Sequence, residues 1–271
     1  MRLLALLLCL LSASVLQAAS LVVVDVGEGQ ALFLQQGEEA LLIDTGHAGQ
    51  ASHLLQRLRA HGVSRLHALV LTHLHPDHAS GYFRLREAFP EAPVMESGHP
   101  LPEAVSPDMV RWVRDGLQRD PHRRLLKQGD VLSWGELRIE VLWPQGFANN
   151  NLNLHSLVLQ VTAGDRRVVI MGDAPSTVGR RLLNQDRFVS DIDILVVGHH
   201  GAADSGDEAV LRHLRPRYSL ISVNADNIRG YPSAQTLQRL HKYSDTVLRT
   251  DIEGELCFSL APQTRLRMTC P

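Results

Sequence analysis

The sequence predicts an α/β protein: two sheets with helices on their outer faces and a site between the sheets at one edge. Three observations carry this expectation. Short apolar strands alternate with helices of amphipathic spacing. The alternation recurs in both halves without a motif-level repeat, which fits one domain over residues 20–271. Residue types that bind metal recur where the strands end: His73, His75, Asp77 and His78, then His155, then Asp173, then His199 and His200.

Composition sets the outer limits. The 271 residues are ample for a sizeable core, and 44% hydrophobic with 21% charged residues is ordinary for a globular chain. A net charge of -2 argues against a surface coated for nucleic acid, though not against a local basic groove. The first 19 residues read as a secretory signal peptide. Met1-Arg2 gives a positive start, residues 3–11 an apolar run, and residues 12–19 small side chains ending at a cleavage site after Ala19. The apolar run is short for a membrane span, and Cys9 follows Leu8 too early for a lipoprotein anchor. The expected product is exported, periplasmic or secreted, with no stable membrane insertion.

The elements follow in order. Residues 21–26 form a strand, residues 27–30 a turn, and residues 31–35 and 40–43 a meander. Asp44-Thr45-Gly46-His47 ends the buried strand, with Asp44 placed to orient a ligand histidine and His47 on the surface. Leu54, Leu55 and Leu58 lie on one face of a helix over 51–61. The strand 66–71, the histidine loop and a helix over 80–89 follow, then a short strand over 90–94. Residues 107–117 make a helix in a basic stretch with Arg111, Arg114, Arg119, Arg123, Arg124 and Lys127. Interleaved Asp115 and Asp120 favour a solvated face over a phosphate grip, and His99 and His122 read as surface residues. A hairpin spans 131–143 with Gly135 at its turn. Asn149, Asn150, Asn151 and Asn153 form a polar loop that belongs at the surface or along a polar cleft. Strands over 157–161, 168–171, 193–197, 219–223 and 246–249 then alternate with helices over 176–185, 207–214 and 233–243. The closing hairpin, turning at residues 262–264, sets Cys257 across from Cys270. An exported chain with these two cysteines favours a disulfide clamp over two free thiols.

The chemistry centres on Thr72-His73-Leu74-His75-Pro76-Asp77-His78. Three imidazoles and a carboxylate at a strand end make little sense for folding alone, and neutral nitrogens with carboxylate oxygens are the donor set of zinc or a similar divalent ion. One catalytic zinc needs only three protein ligands and a water, and the candidates number about twice that. Two ions account for them: His73, His75 and His155 on one, Asp77, His78 and one of His199 or His200 on the other, and Asp173 bridging. The other member of the His199-His200 pair would donate a proton to the leaving group or support a ligand, and local sequence leaves open which is which. Asp77 would also orient the attacking water. Two cations about 3.5–4 Å apart acidify a bridging water and steady attacking and leaving oxygens. His53, His61, His67, His213 and His241 have no partner by sequence and read as structural or exposed.

These residues resemble the metallo-β-lactamase-fold superfamily, and within it the hydrolase domain of ComEC-type DNA-uptake proteins. The likeness covers essentially all of residues 20–271. It rests on Asp25-Val26-Gly27-Glu28-Gly29-Gln30, the Asp44-Thr45-Gly46 turn, the histidine loop, the stretch before Ser156-Leu157-Val158-Leu159, Gly172-Asp173, and Gly198-His199-His200-Gly201 with Ser205. The run from residue 221 to Pro232, then Arg249-Thr250-Asp251, also fits. The resemblance implies an αββα sandwich and a dinuclear metal-dependent hydrolase, with Zn2+ or Mn2+ as cofactor and a phosphodiester, of small-molecule or nucleic-acid origin, as substrate. A phosphocholine ester, lactone or thioester is the alternative on the same metals, and a non-catalytic binding or regulatory member of the fold is a third reading. Two departures stand out: His155 where such proteins commonly carry asparagine, and Gly230-Tyr231-Pro232 where they often carry Gly-His-Pro. The resemblance does not extend to ComEC's membrane portion, so the channel itself is not expected in these residues.

Overall fold

A computed structural model describes residues 18–100, 107–146 and 150–271. Most of the expected signal peptide, and Asn149 of the asparagine loop, lie outside the described residues.

The first sheet begins as the predicted meander. Strands β1 (Ser20–Val23), β2 (Leu32–Gln36) and β3 (Glu39–Ile43) pair antiparallel. Helix α1 (Ala51–Ala60) then crosses to β4 (Arg65–Val70), which lies parallel to β3. After the histidine loop come α2 (Pro76–Ala79), α3 (Tyr82–Ala88) and β5 (Val94–Glu96). Pro93 and the turn before it push β5 later in the chain than residues 90–94. Helix α4 (Asp108–Arg119) leads to β6 (Arg123–Leu125), a short parallel edge strand that the basic sequence concealed. The second sheet repeats the plan. Strands β7 (Val131–Trp134), β8 (Leu137–Trp143), β9 (Val158–Ala163) and β10 (Arg166–Ile170) form the meander. Parallel β11 (Ile194–Val196), β12 (Tyr218–Ile221) and β13 (Thr246–Arg249) follow, with crossovers through α5 (Ser176–Asn184), α6 (Glu208–Leu214) and α7 (Ala234–Tyr243). One turn of helix, α8 (Thr250–Glu253), returns the chain to the first sheet as β14 (Leu256–Ser259) and β15 (Arg267–Met268).

The sheets contain eight strands, ordered β15-β14-β1-β2-β3-β4-β5-β6, and seven, ordered β13-β12-β11-β10-β9-β8-β7. Period-two alternation divides their side chains. Leu21, Val23, Leu32 and Leu34 face Val161, Val168, Ile194 and Leu220 in the core between the sheets. Val22 and Phe33 face outward under Leu54 and Leu58 of α1, Leu85 of α3 and Val113 of α4. On the far side Val169 and Leu195 pack under Leu182 of α5, Leu211 of α6 and Leu240 of α7. Each helix buries one stripe against one sheet, giving the four-layer αββα sandwich that the sequence predicts.

Strand β14 pairs with β1, so the end of the chain closes the first sheet beside its beginning. Register sets Cys257 opposite Met268, and Cys270, two residues on, bonds to Cys257 at a Cα separation of 5.5 Å. Glu255 ties the same strand to α1, through Arg57 at 2.8 Å and His61 at 2.8 Å, so His61 is a structural residue. A 13-residue separation between bonded cysteines stabilises by about 3 kcal/mol in the chain-entropy account. Cys270→Ser is therefore expected to lower the thermal midpoint by about 6–12 °C. Reductant should lower the wild-type midpoint similarly and leave the variant's unchanged.

Candidate metal centre

The site forms where strands of both sheets end. Asp44 follows β3, residues 72–78 follow β4, Asp173 follows β10, His199-His200 follow β11 and Ser222 follows β12. Asp44 is fully buried at a positive φ of 60°, a conformation that aspartate tolerates better than most residues. Its Oδ1 accepts from the Thr72 amide at 2.7 Å. Its Oδ2 accepts from Gln30 Nε2 at 2.9 Å, Thr72 Oγ1 at 2.8 Å and His78 Nδ1 at 2.7 Å.

These bonds fix tautomers. His78 donates Nδ1–H to Asp44, so its neutral ring carries a lone pair at Nε2. His200 donates Nδ1–H to the Ser222 carbonyl at 2.9 Å, so its Nε2 is a lone pair as well. Thr72 gives its hydroxyl proton to Asp44, hence Thr72 Oγ1 accepts from His73 Nδ1 at 3.1 Å and leaves His73 Nε2 bare. The bare atoms converge. His78 Nε2 and His200 Nε2 are 3.2 Å apart, with Asp77 Oδ2 at 3.5 Å from the latter. His73 Nε2 faces His75 Nδ1 at 2.9 Å. Asp173 lies between, Oδ2 at 3.7 Å from His73 and Oδ1 at 3.1 Å from His78 and 3.7 Å from His200. Two ligand clusters result: His73, His75 and Asp173, and Asp77, His78 and His200. Facing lone pairs in a buried pocket repel unless a proton or a metal ion sits among them, and Asp173 Oδ1 makes no hydrogen bond of its own. The residues therefore fit divalent metal ions.

Protonation reflects the same crowding. Burial pushes His73 well below the usual imidazole range, and the neighbouring His78 adds to the shift. Burial lowers His75 too. For His78 burial acts downward, but the charges of Asp173 and Asp44 outweigh it and hold the ring well above its ordinary value. Asp173 lies well below the carboxylate range, because the charges of His78 and His200 outweigh its burial. Asp77 lies below its ordinary value as well: burial opposes, and the nearby His200 ring and the charge of His78 prevail.

The structure distinguishes the His199-His200 pair, which sequence left open. Both residues are left-handed, at φ 52° and 51°, rather than extended, so their rings diverge. His200 turns into the cluster and is buried. His199 turns outward, its Nδ1 at 2.9 Å from Asp204 Oδ1 and its Nε2 at 3.2 Å from Asn153 Nδ2. Gly201 follows at φ 77° and packs so close to Pro232 that a Cβ there would lie 2.6 Å from the proline Cβ. Gly29 is equally constrained. At φ 115° its missing Cβ would meet the Asp77 carbonyl oxygen at 2.1 Å.

His155 differs from expectation. Neither cluster includes it, and Asp173 completes the first in its place. Its ring stacks instead on His99 at 4.2 Å. His99 is consequently buried rather than on the surface, its pKa pushed down to about 4 by burial and by His155. The basic stretch engages its acidic neighbours: Arg111 pairs with Asp108, Arg114 with Asp115 and Arg123 with Glu96. Sequence reasoning passed over Gln30 and Thr72 as hydrogen-bonding partners of the site, and Asp204, Ser222 and Arg229 altogether. Gln30 and Thr72 lie in quoted motifs, and Ser222 and Arg229 in the quoted run over 221–232, but nothing local assigns any of the five its partner.

Residues 24–224 match the metallo-beta-lactamase superfamily. The chain belongs to that superfamily. It is similar to Recombination protein 2 of Haemophilus influenzae, 28% identical over 237 residues, covering 86% of this chain and 28% of that protein. It is also similar to ComE operon protein 3 of Bacillus subtilis, 29% identical over 260 residues, covering 86% of this chain and 32% of that one. The chain thus spans about a third of the length of these curated relatives, which support the ComEC-type branch of the superfamily. Among solved structures, the metallo-beta-lactamase fold protein YhfI of Bacillus subtilis aligns with a TM-score of 0.55 at 15% identity, over 86% of this chain and 95% of that one.

Metal binding by this superfamily member has a calculable pH dependence. In the metal-free protein the charges of Asp173 and Asp44 outweigh burial and hold His78 above its ordinary pKa, which favours a proton on the nitrogen a metal requires. Binding must expel that proton, so affinity rises with pH until His78 deprotonates unaided. Titration calorimetry of Zn2+ in buffers of different ionisation heat should show about one proton released at this residue. Asp44→Asn weakens the upward pull on His78 and should reduce the release, while lowering metal affinity about 10–100-fold.

Proposed function

We infer that the protein is an exported, metal-dependent phosphodiesterase with two divalent ions, Zn2+ or Mn2+, in the cleft. One observation carries the reading: six buried or half-buried imidazole and carboxylate ligands gather in two sets, and one of them, Asp173, reaches both. His73, His75 and Asp173 would hold one ion, and Asp77, His78 and His200, with the second oxygen of Asp173, the other. When bound, two such ions supply Lewis acidity, acidifying water and neutralising charge on the attacked ester. The negative charge of a phosphodiester suits that environment better than a neutral ester does.

The protein's own groups divide the remaining work. Asp77 and Asp173 stay ionised and accept hydrogen bonds from a water between them, aiming its lone pair at the substrate. His199 stands outside both clusters as the proton donor to the leaving oxygen. Burial lowers its pKa, but the Asp204 hydrogen bond and the Asp173 charge raise it overall, so the ring carries a transferable proton. Tyr231, whose ring lies 5.5 Å from that of His199, and Asn153 border the space for the leaving group. Export is supported by the amino-terminal pattern ending at Ala19 and by the Cys257–Cys270 bond, which belongs to an oxidising compartment. Among the described residues no helix is long and apolar enough to cross a membrane.

The protein lacking residues 1–19 should carry close to two metals per chain. It should hydrolyse bis-p-nitrophenyl phosphate or DNA in preference to a lactone, a phosphocholine ester or a thioester, and lose activity to chelators. Asp173→Ala should abolish turnover with the fold intact. His199→Gln should cost about 10²–10⁴-fold on a poor leaving group and far less on p-nitrophenolate, which needs no proton. Turnover of the thioester or lactone alone would transfer the site to that ester class. Two bound metals without turnover of any substrate would make the protein a binding member of the fold.

A further inference from the structure

Among the described residues, Arg229 is the cation that reaches the ligand clusters. Its Nη1 lies 3.6 Å from Asp77 Oδ2 and its Nη2 3.4 Å from Glu28 Oε1. Both contacts are longer than good hydrogen bonds, and the side chain stays 46% exposed, so the guanidinium stands at the cleft mouth with donors to spare. Hydrogen bonds brace the loop presenting it. Asn227 Nδ2 donates to the carbonyls of Asn224 at 2.6 Å and Tyr231 at 2.8 Å, while its Oδ1 accepts from the Tyr231 amide at 2.8 Å. Ser233 N donates to the Gly201 carbonyl at 2.9 Å, fastening the loop beside the His199-His200 turn. Ile228, 98% exposed, and Arg229 form its tip.

The position has an electrostatic consequence. Asp77 Oδ2 directs its charge toward Arg229. A dication taking that oxygen withdraws the charge and leaves a permanently protonated guanidinium facing a second positive centre. An oxyanion between them relieves the repulsion, and the planar fork of an arginine matches two oxygens of a phosphate.

We propose that Arg229 is the substrate clamp of this cleft, binding the non-bridging oxygens of a phosphodiester, with Glu28 holding it ready. The proposal rests on the phosphodiesterase reading above and names the residue that would select anionic over neutral esters there. Local sequence gives no sign of this, since the guanidinium comes within reach of Asp77 only through a contact between residues 152 positions apart.

The test uses the Zn2+-loaded protein without its first 19 residues, as wild type, Arg229→Ala and Arg229→Lys. Inorganic phosphate binding is measured by calorimetry. Turnover of bis-p-nitrophenyl phosphate is measured beside that of the neutral p-nitrophenyl acetate. Arg229→Ala is expected to weaken phosphate binding by about tenfold or more, the weight of a charge-assisted hydrogen bond. It should raise KM for the diester more than it lowers kcat, and lower the ratio of diester to acetate kcat/KM by about tenfold. Arg229→Lys should recover part of the phosphate affinity, and metal content should match wild type in both variants. Equal phosphate affinity in wild type and Arg229→Ala overturns the clamp, as does wild type that binds no phosphate. Loss of metal from Arg229→Ala also overturns it, making Arg229 a support for Asp77. Phosphate binding that depends on Arg229, in a protein that hydrolyses no diester, would uphold the clamp and reject the phosphodiesterase reading.

Discussion

A buried carboxylate with no exposure to water, Asp44, sets the geometry on which the site depends. It accepts four hydrogen bonds, from Gln30, from the amide and hydroxyl of Thr72, and from His78. Through them it ties the turn after β1 and the loop after β4 to the end of β3. The same bonds decide which nitrogen of His78, and through Thr72 which nitrogen of His73, remains free to bind. An unpaired carboxylate at that depth would cost several kcal/mol, so the loop is held in this conformation by the bonds that orient its ligands. Structure and chemistry at Asp44 are the same set of contacts.

The second constraint is that neither half of the molecule holds a complete centre. The first sheet contributes His73, His75, Asp77 and His78, and the second contributes Asp173 and His200. They meet because both sheets direct parallel strands to the same edge of the sandwich. The cores on either side keep those edges in register. Asp173 joins the halves, with one oxygen toward each cluster. The hydroxyl of Ser222 donates to the Gly29 carbonyl at 2.8 Å, a further link across 193 positions, and the Ser222 carbonyl sets the tautomer of His200. A perturbation of either sheet's edge would therefore reach the ligands of the other.

Around this centre lies a rim of different character. His199, Asn153, Tyr231 and Arg229 come from three separate loops, and they are more exposed than most of the ligands. Fold likeness says little about such a rim, since one fold supports many chemistries through its loops. At 15% identity the solved neighbour shows the sandwich alone.

Local sequence patterns specify the sandwich and most residues of the two clusters. Strand alternation and helical stripes are local patterns with fixed periods, and the His73 to His78 loop packs its ligand types into six positions. Asp44 as an orienting group was legible from its place at a buried strand end. The β6 strand was not, because an edge strand with little burial needs no apolar pattern. The choice between His199 and His200 is a tertiary one, since two consecutive left-handed residues turn their rings apart. Only the tertiary structure set His155 against His99 and gave Asp173 to the first cluster. It alone brought Arg229 within reach of Asp77. Each of these depends on distances between residues far apart in the chain. Such distances follow from how two sheets pack, which no local run of residues encodes.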